Sequence, residues 1–140
     1  MKNKIYIASD HAGFEMKSKL LDYFPTLIDL GTNSIESVDY PDFAHKLTDE
    51  VLKNDKSLGI LICGTGVGMS MAANRANGIR AGLVSSAEIA RLIRQHNDAN
   101  VLVLPGRFMD NEEAKICVKN FLETEFEAGR HKKRTEKIWI

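Results

Sequence analysis

The chain has 140 residues, 44% hydrophobic and 27% charged, which is enough apolar material for a single domain spanning residues 1–140. Nineteen basic side chains balance nineteen acidic ones, so no net field recommends nucleic acid or an anionic membrane as a partner. The two cysteines, Cys63 and Cys117, form no CxxC pair, which argues against a disulfide framework or a cysteine zinc site and suits the reducing cytosol.

Lys2 and Lys4 precede an apolar run at 5–8 that stops at Ser9, Asp10 and His11. That run is too short for a signal peptide, and no stretch reaches the length of a membrane span, so a cytoplasmic location is expected. Residues 4–9 (KIYIAS) predict a buried strand. Met16, Leu20, Leu21 and Phe24 then recur at helical spacing until Pro25. Residues 26–30 predict a second strand closed by Gly31. After a polar loop, Pro41 opens a helix to about Asn54, with Ala44, Leu47 and Val51 on one face. Residues 58–63 (LGILIC) predict a third strand, apolar on both faces, followed by glycines and a helix of small residues over 69–76. A fourth strand is expected at 79–84 and a helix over 87–97, with Ile89, Leu92, Ile93 and His96 sharing a face. A fifth strand follows at 100–104, then a helix over 110–127. The tail at 129–140 is short and basic.

Strands that alternate with helices and are apolar on both faces imply a parallel sheet covered on each side. The expected fold is therefore α/β, a three-layer Rossmann-like (flavodoxin-like) sandwich with a five-stranded parallel sheet in the order 2-1-3-4-5. Ligands in such folds bind at the carboxyl ends of the strands where the chain reverses. Here that places Asp10 and His11, ending strand 1, beside Cys63 and its glycine turn, ending strand 3.

Gly64, Gly66 and Gly68 alternate between a strand and a helix, together with Thr65 and Val67. Glycines let the backbone turn tightly and let a ligand approach the amides, and free amides at a helix start favour an anion. The same field favours a thiolate at Cys63. A buried cysteine in a plain strand–helix turn is the simpler alternative. A dinucleotide fingerprint fits poorly, because Met69 occupies the third glycine position and the motif follows strand 3. No Gly-Lys-Ser/Thr occurs, so there is no P-loop.

Asp10 and His11 read equally well as a helix cap and as site residues. His45 lies among polar neighbours and reads as a surface residue. Cys117, on the apolar face of the last helix, reads as core. His96 shares an apolar face and reads as a core histidine, although Arg94, Gln95, Asn97 and Asp98 surround it with polar chemistry. A crossover helix runs away from the carboxyl edge, so ten residues at 1.5 Å each carry His96 about 15 Å from Cys63. A catalytic His96 would therefore have to come from a second subunit. Arg107 follows strand 5 in a Pro-Gly-Arg turn. Arg130 and Arg134 would share one face of a helical tail and suit a phosphate, while a solvated basic tail is the alternative.

The stretches SDHAGF (9–14), DYPDFA (39–44), ILICGTGVGMSMAANR (60–75), GIRAGL (78–83), RQHNDANVL (94–102) and GRHKKR (129–134) run in order along nearly the whole chain. Together they resemble the type B ribose-5-phosphate isomerases, a family that also holds galactose-6-phosphate and allose-6-phosphate isomerases. The resemblance implies an aldose–ketose isomerase of the pentose phosphate pathway acting through an enediolate. It implies Cys63 as the proton-abstracting base, Gly64, Gly66, Val67 and Gly68 as the loop holding the enediolate with Thr65 assisting, and His96 in ring opening. It implies substrate contacts from Asp10, His11, Tyr40, Asn97, Arg107, Arg130 and Arg134, the arginines mainly to phosphate.

The resemblance further implies no cofactor, no metal, and a homodimer or dimer of dimers with sites shared between subunits. Relatives with serine at the position of Cys63 use a nearby glutamate as base. Here residues 64–75 contain no acid, which sides with the cysteine form. The chain departs from the family pattern at Leu104, Pro105, Gly106 and Arg107, which bears on how Arg107 is aimed. A hexose-6-phosphate isomerase is the near alternative. A non-enzymatic receiver or nucleotide-binding module is the distant one, and it lacks both the strand-3 aspartate and the third glycine.

Overall fold

The computed structural model describes residues 3–140, so Met1 and Lys2, including the first lysine before the apolar run, lie outside the described residues. The strands are β1 (Ile5–Ser9), β2 (Ile28–Asp29), β3 (Leu58–Cys63), β4 (Ala81–Leu83) and β5 (Val101–Pro105). The helices are α1 (Phe14–Tyr23), α2 (Tyr40–Lys53), α3 (Val67–Ala73), α4 (Ala87–Gln95), α5 (Asn111–Glu123) and α6 (Arg130–Glu136). A 3-10 turn at His11–Gly13 leads into α1.

All strand pairings are parallel, as the apolar runs predict, and the sheet order is β2-β1-β3-β5-β4. The expected order 2-1-3-4-5 is therefore corrected at one edge, where the last two strands exchange places. Burial explains the exchange. Val101, Leu102, Val103 and Leu104 are all fully buried, and each such side chain gains roughly 1.5–3 kcal/mol from that burial, which favours an inner strand. β4 offers Ala81, Gly82 and a half-exposed Leu83, so it loses little at the edge. The backbone N–H and C=O of Ala81 are met there by the Asn74 side-chain amide, at 2.8 and 3.0 Å.

Right-handed crossovers then fix which face each helix covers. Connections running toward the β2 edge place α1 and α4 on one face, where they share a core with α5 built on Ile7, Ile60, Ile62, Leu102, Leu104 and Phe121. Connections running the other way place α2 and α3 on the opposite face, around Tyr6, Ala8, Leu61, Cys63 and Met69. The helix after β3 thus lies on the opposite face from the helices after β1 and β5. Two crevices result, one on each side of the end of β3.

The ion pair between Lys17 and Asp29 braces the end of β1. Lys17, only 1% exposed on α1, donates to Asp29 Oδ1 at 2.7 Å, and the Gly31 amide donates to the same oxygen at 2.9 Å. Gly31 and Thr32 in turn bond both backbone groups of Ser9, each at 2.8 Å. The basic tail is not merely solvated chain. It forms α6, which buries His131 and Thr135 while exposing Arg130 and Arg134. His45 is exposed and Cys117 fully buried, as their sequence context predicts. Burial pushes the Cys117 thiol up to about 12, so this second cysteine stays a neutral core residue.

Candidate active site

Side chains of successive strand residues alternate between the faces. Ser9 pairs with Ile62 in the sheet, so the next residues outward, Asp10 and Cys63, lie side by side and turn toward the α2–α3 layer. Both are 5% exposed. Asp10 is also a cap, because Gly13 N–H donates to its Oδ1 at 3.1 Å. The capping and site readings of Asp10 are therefore compatible. His11 accepts the Val38 N–H on Nδ1 at 3.2 Å. That bond leaves Nε2 as the protonated, donating nitrogen, a suitable partner for an anionic oxygen.

After Cys63 the backbone enters the glycine turn. Among the described residues, no hydrogen bond occupies the amides of Gly64, Thr65 or Gly66, while the Val67 N–H donates to Thr65 Oγ1 at 3.2 Å. The turn thus has three free donors, and Thr65 shapes it from within. Gly66 caps α3 with φ of +79°, a left-handed conformation that L side chains resist, and a Cβ there would run into Leu83. Gly66→Ala is expected to destabilise the fold by about 1–3 kcal/mol, read as a lower urea midpoint at unchanged m-value. Gly68 has a separate reason to be glycine. The Tyr40 ring, at the start of α2, lies 2.5 Å from where its Cβ would sit, and so Tyr40 roofs the turn.

The exit of β5 closes the other side. Gly106 N–H donates to Cys63 O at 2.8 Å and Arg107 N–H to Gly64 O at 3.0 Å. The Arg107 side chain packs 3.4 Å from where a Gly64 Cβ would be. The departure at 104–107 therefore still aims Arg107 at the glycine turn. A cavity of about 570 Å³ opens between the exits of β1 and β5, lined by His11, Ala12, Glu15, Ile35, Gly106 and Arg107, while Cys63 and the glycine turn do not line it. Asp10, His11, Tyr40, Cys63, Gly64, Thr65, Gly66, Val67, Gly68 and Arg107 thus gather at one sheet edge.

The remaining predicted site residues lie elsewhere. His96 caps the C-terminus of α4, next to the start of β5, where Gly59 N–H bonds Asn100 O at 2.9 Å. Cys63 lies four steps along the strand from Gly59, about 13 Å at 3.3 Å each, so His96 lies at the opposite edge of the sheet. Exposed Asn97 adjoins it, as do exposed Arg130 and Arg134 on α6. The His96 ring stacks on His131, with centroids 4.4 Å apart and planes at 18°. Burial, then the neighbouring His96, holds His131 below the usual histidine range. Glu127 completes this amino-edge cluster. Sequence reasoning missed both Glu127 and His131 as cluster members. The histidine inside GRHKKR was the available signal, but only α6 packing sets it against His96.

The family model described as Ribose/Galactose Isomerase matches residues 5–138. The chain is 50% identical to a probable ribose-5-phosphate isomerase B of Mycoplasma pneumoniae over 99% of its own length and 94% of that protein's. It is 43% identical to the ribose-5-phosphate isomerase B of Escherichia coli, covering 96% and 93%. Among solved structures, the ribose 5-phosphate isomerase of Thermotoga maritima superposes with a TM-score of 0.94 at 52% identity, covering 98% and 97%. The Mycoplasma genitalium ribose-5-phosphate isomerase B with bound ribulose-5-phosphate also gives 0.94, at 49% identity, covering 99% and 95%.

Proposed function

The chain belongs to the ribose/galactose isomerase family, and from that premise we propose that it interconverts D-ribose 5-phosphate and D-ribulose 5-phosphate. The observation that carries this reading is the placement of Cys63 beside Asp10, directly before three amides free to hold an oxyanion. The Mycoplasma genitalium relative, solved with ribulose-5-phosphate, supports the substrate class.

The sugar ring opens first, with His96 and Asp10 moving the protons between the ring oxygen and the anomeric hydroxyl. The Cys63 thiolate then takes the proton from the second carbon, and the electron pair moves into an enediolate. The amides of the glycine turn stabilise the negative oxygen, and preorganised donors of this kind supply the largest share of rate enhancement in many enzymes. The proton of the second carbon's hydroxyl passes to the first carbon's oxygen, and the thiol returns its proton to the first carbon, leaving the carbonyl on the second. His11 and the guanidiniums of Arg107, Arg130 and Arg134 anchor the phosphate, so binding energy far from the reacting carbons orients them. Tyr40 and Asn97 line the sugar.

His96, Asn97, Arg130 and Arg134 cannot reach the Cys63 of their own chain across the sheet. In this reading the working enzyme is a homodimer, or a dimer of dimers, in which His96, Asn97, Arg130 and Arg134 of one subunit complete the carboxyl-edge cluster of the other. The chemistry calls for no cofactor. Among the described residues no helix is long and apolar enough to cross a membrane, and a cytoplasmic enzyme fits the two unpaired thiols.

Side-by-side turnover of ribose 5-phosphate, allose 6-phosphate and galactose 6-phosphate tests the substrate. The pentose is expected to have the highest kcat/KM, because closely similar relatives are named for ribose 5-phosphate. Faster turnover of either hexose would replace this assignment with the hexose-phosphate branch of the family.

A further inference from the structure

We propose that His96, Glu127 and His131 form a binding site for one divalent transition-metal ion of the zinc type, and that filling it silences the isomerase by engaging His96. One donor atom from each residue lies within 4.8 Å of the others. The three come from different elements that are fixed to one another. His96 caps α4, Glu127 lies in the linker before α6, and His131 is on α6. The Glu127 N–H donates to Gln95 O at 3.0 Å, which locks the linker to the end of α4, and Arg94 Nε reaches the same linker at Thr124 O, 3.3 Å away.

Two imidazoles and one carboxylate are a donor set that zinc and its neighbours accept, with further positions left open. Magnesium and calcium prefer all-oxygen shells, so the site should discriminate against them. His131 is 7% exposed, and its Nε2 has no hydrogen-bond partner among the described residues. A buried, unpaired nitrogen is costly, and a ligand that satisfied it would recover that cost. Metal–donor bonds of about 2.0–2.2 Å require the three donors to close in on one ion. The exposed Glu127 carboxylate can swing, and the half-exposed His96 ring can turn out of its stack, while burial holds His131 in place. An ion bound there takes the lone pair that His96 needs for proton transfer. The binding half of this inference stands alone, whereas the inhibitory half rests on the role proposed for His96.

The test uses the untagged chain, stripped with chelator and titrated with zinc by calorimetry while turnover of ribose 5-phosphate is followed in parallel. One ion per chain is expected, with inhibition tracking occupancy and reversed by EDTA, and with no response to magnesium. Outer-sphere changes at metal sites already cost 10- to 100-fold in affinity, so Glu127→Ala should weaken zinc binding at least about tenfold. It should also relieve inhibition at intermediate zinc while leaving metal-free turnover in place. Cys63→Ala should bind zinc as the wild type does. Loss of zinc binding in Cys63→Ala would assign the ion to the thiol and overturn the site, as would unchanged affinity in Glu127→Ala or no binding by the wild type. Zinc binding without inhibition would overturn the inhibitory half. Absence of turnover in the stripped wild type would instead count against the isomerase reading, and calorimetry would still decide the site.

Discussion

Replacing Cys63 by alanine is expected to lower ribose 5-phosphate turnover about 1,000-fold, the middle of the range for a positioned general base. The loss should fall on kcat, with substrate affinity little changed, because in the proposed mechanism the thiol acts on a carbon while His11 and the arginines hold the phosphate. A 1,000-fold loss corresponds to about 4 kcal/mol of transition-state stabilisation. Cys63 is buried among the residues that pack against α2 and α3, but alanine keeps its β-carbon and removes a single sulfur, so the packing change is small. An unchanged urea midpoint would separate a catalytic loss from a folding defect. Cys63→Ser should not restore the rate. A hydroxyl is a far weaker acid than a thiol, and residues 64–75 hold no carboxylate to take over as base. Near-normal turnover in either variant would remove Cys63 from the mechanism.

A mixture of two inactive variants is expected to regain activity. Cys63→Ala and His96→Asn should each be nearly inert alone. Refolded together at equal amounts, half of the dimers pair one variant with the other. Each such dimer has one site with both defects and one with neither, so activity should return to about a quarter of the wild-type value under two-fold symmetry. The argument is geometric, because Cys63 ends β3 while His96 lies beside the start of β5 at the opposite edge. A site contained within one chain would give no recovery, and that result would end the shared-site reading.

The carboxyl-edge half of the site was legible in the sequence. Asp10, His11 and Cys63 each end an apolar run, and a strand's end is where a parallel sheet exposes chemistry. Gly64, Gly66 and Gly68 were readable as a turn because alternating glycines after a strand have few other uses. Sheet order was less legible. The fourth and fifth apolar runs look alike in periodicity, and their places depend on which one the helices bury more completely. The partners of the amino-edge residues were less legible still. His96 sits on an apolar helical face, and the tail at 129–140 looks like solvated basic chain.

By itself, then, the sequence determined the parallel α/β fold, the thiol followed by a glycine turn, and the separation of His96 from Cys63. These follow from local periodicity, glycine chemistry and the fixed rise of helices and strands. Only the tertiary structure decided that β5 lies inside β4, that Tyr40 roofs Gly68, that Asp10 both caps a turn and borders the thiol, and that Glu127 and His131 join His96. Those facts depend on contacts between residues far apart in the chain. They are set by how much apolar surface each arrangement buries and which polar groups it leaves to be paired, quantities that no local pattern carries.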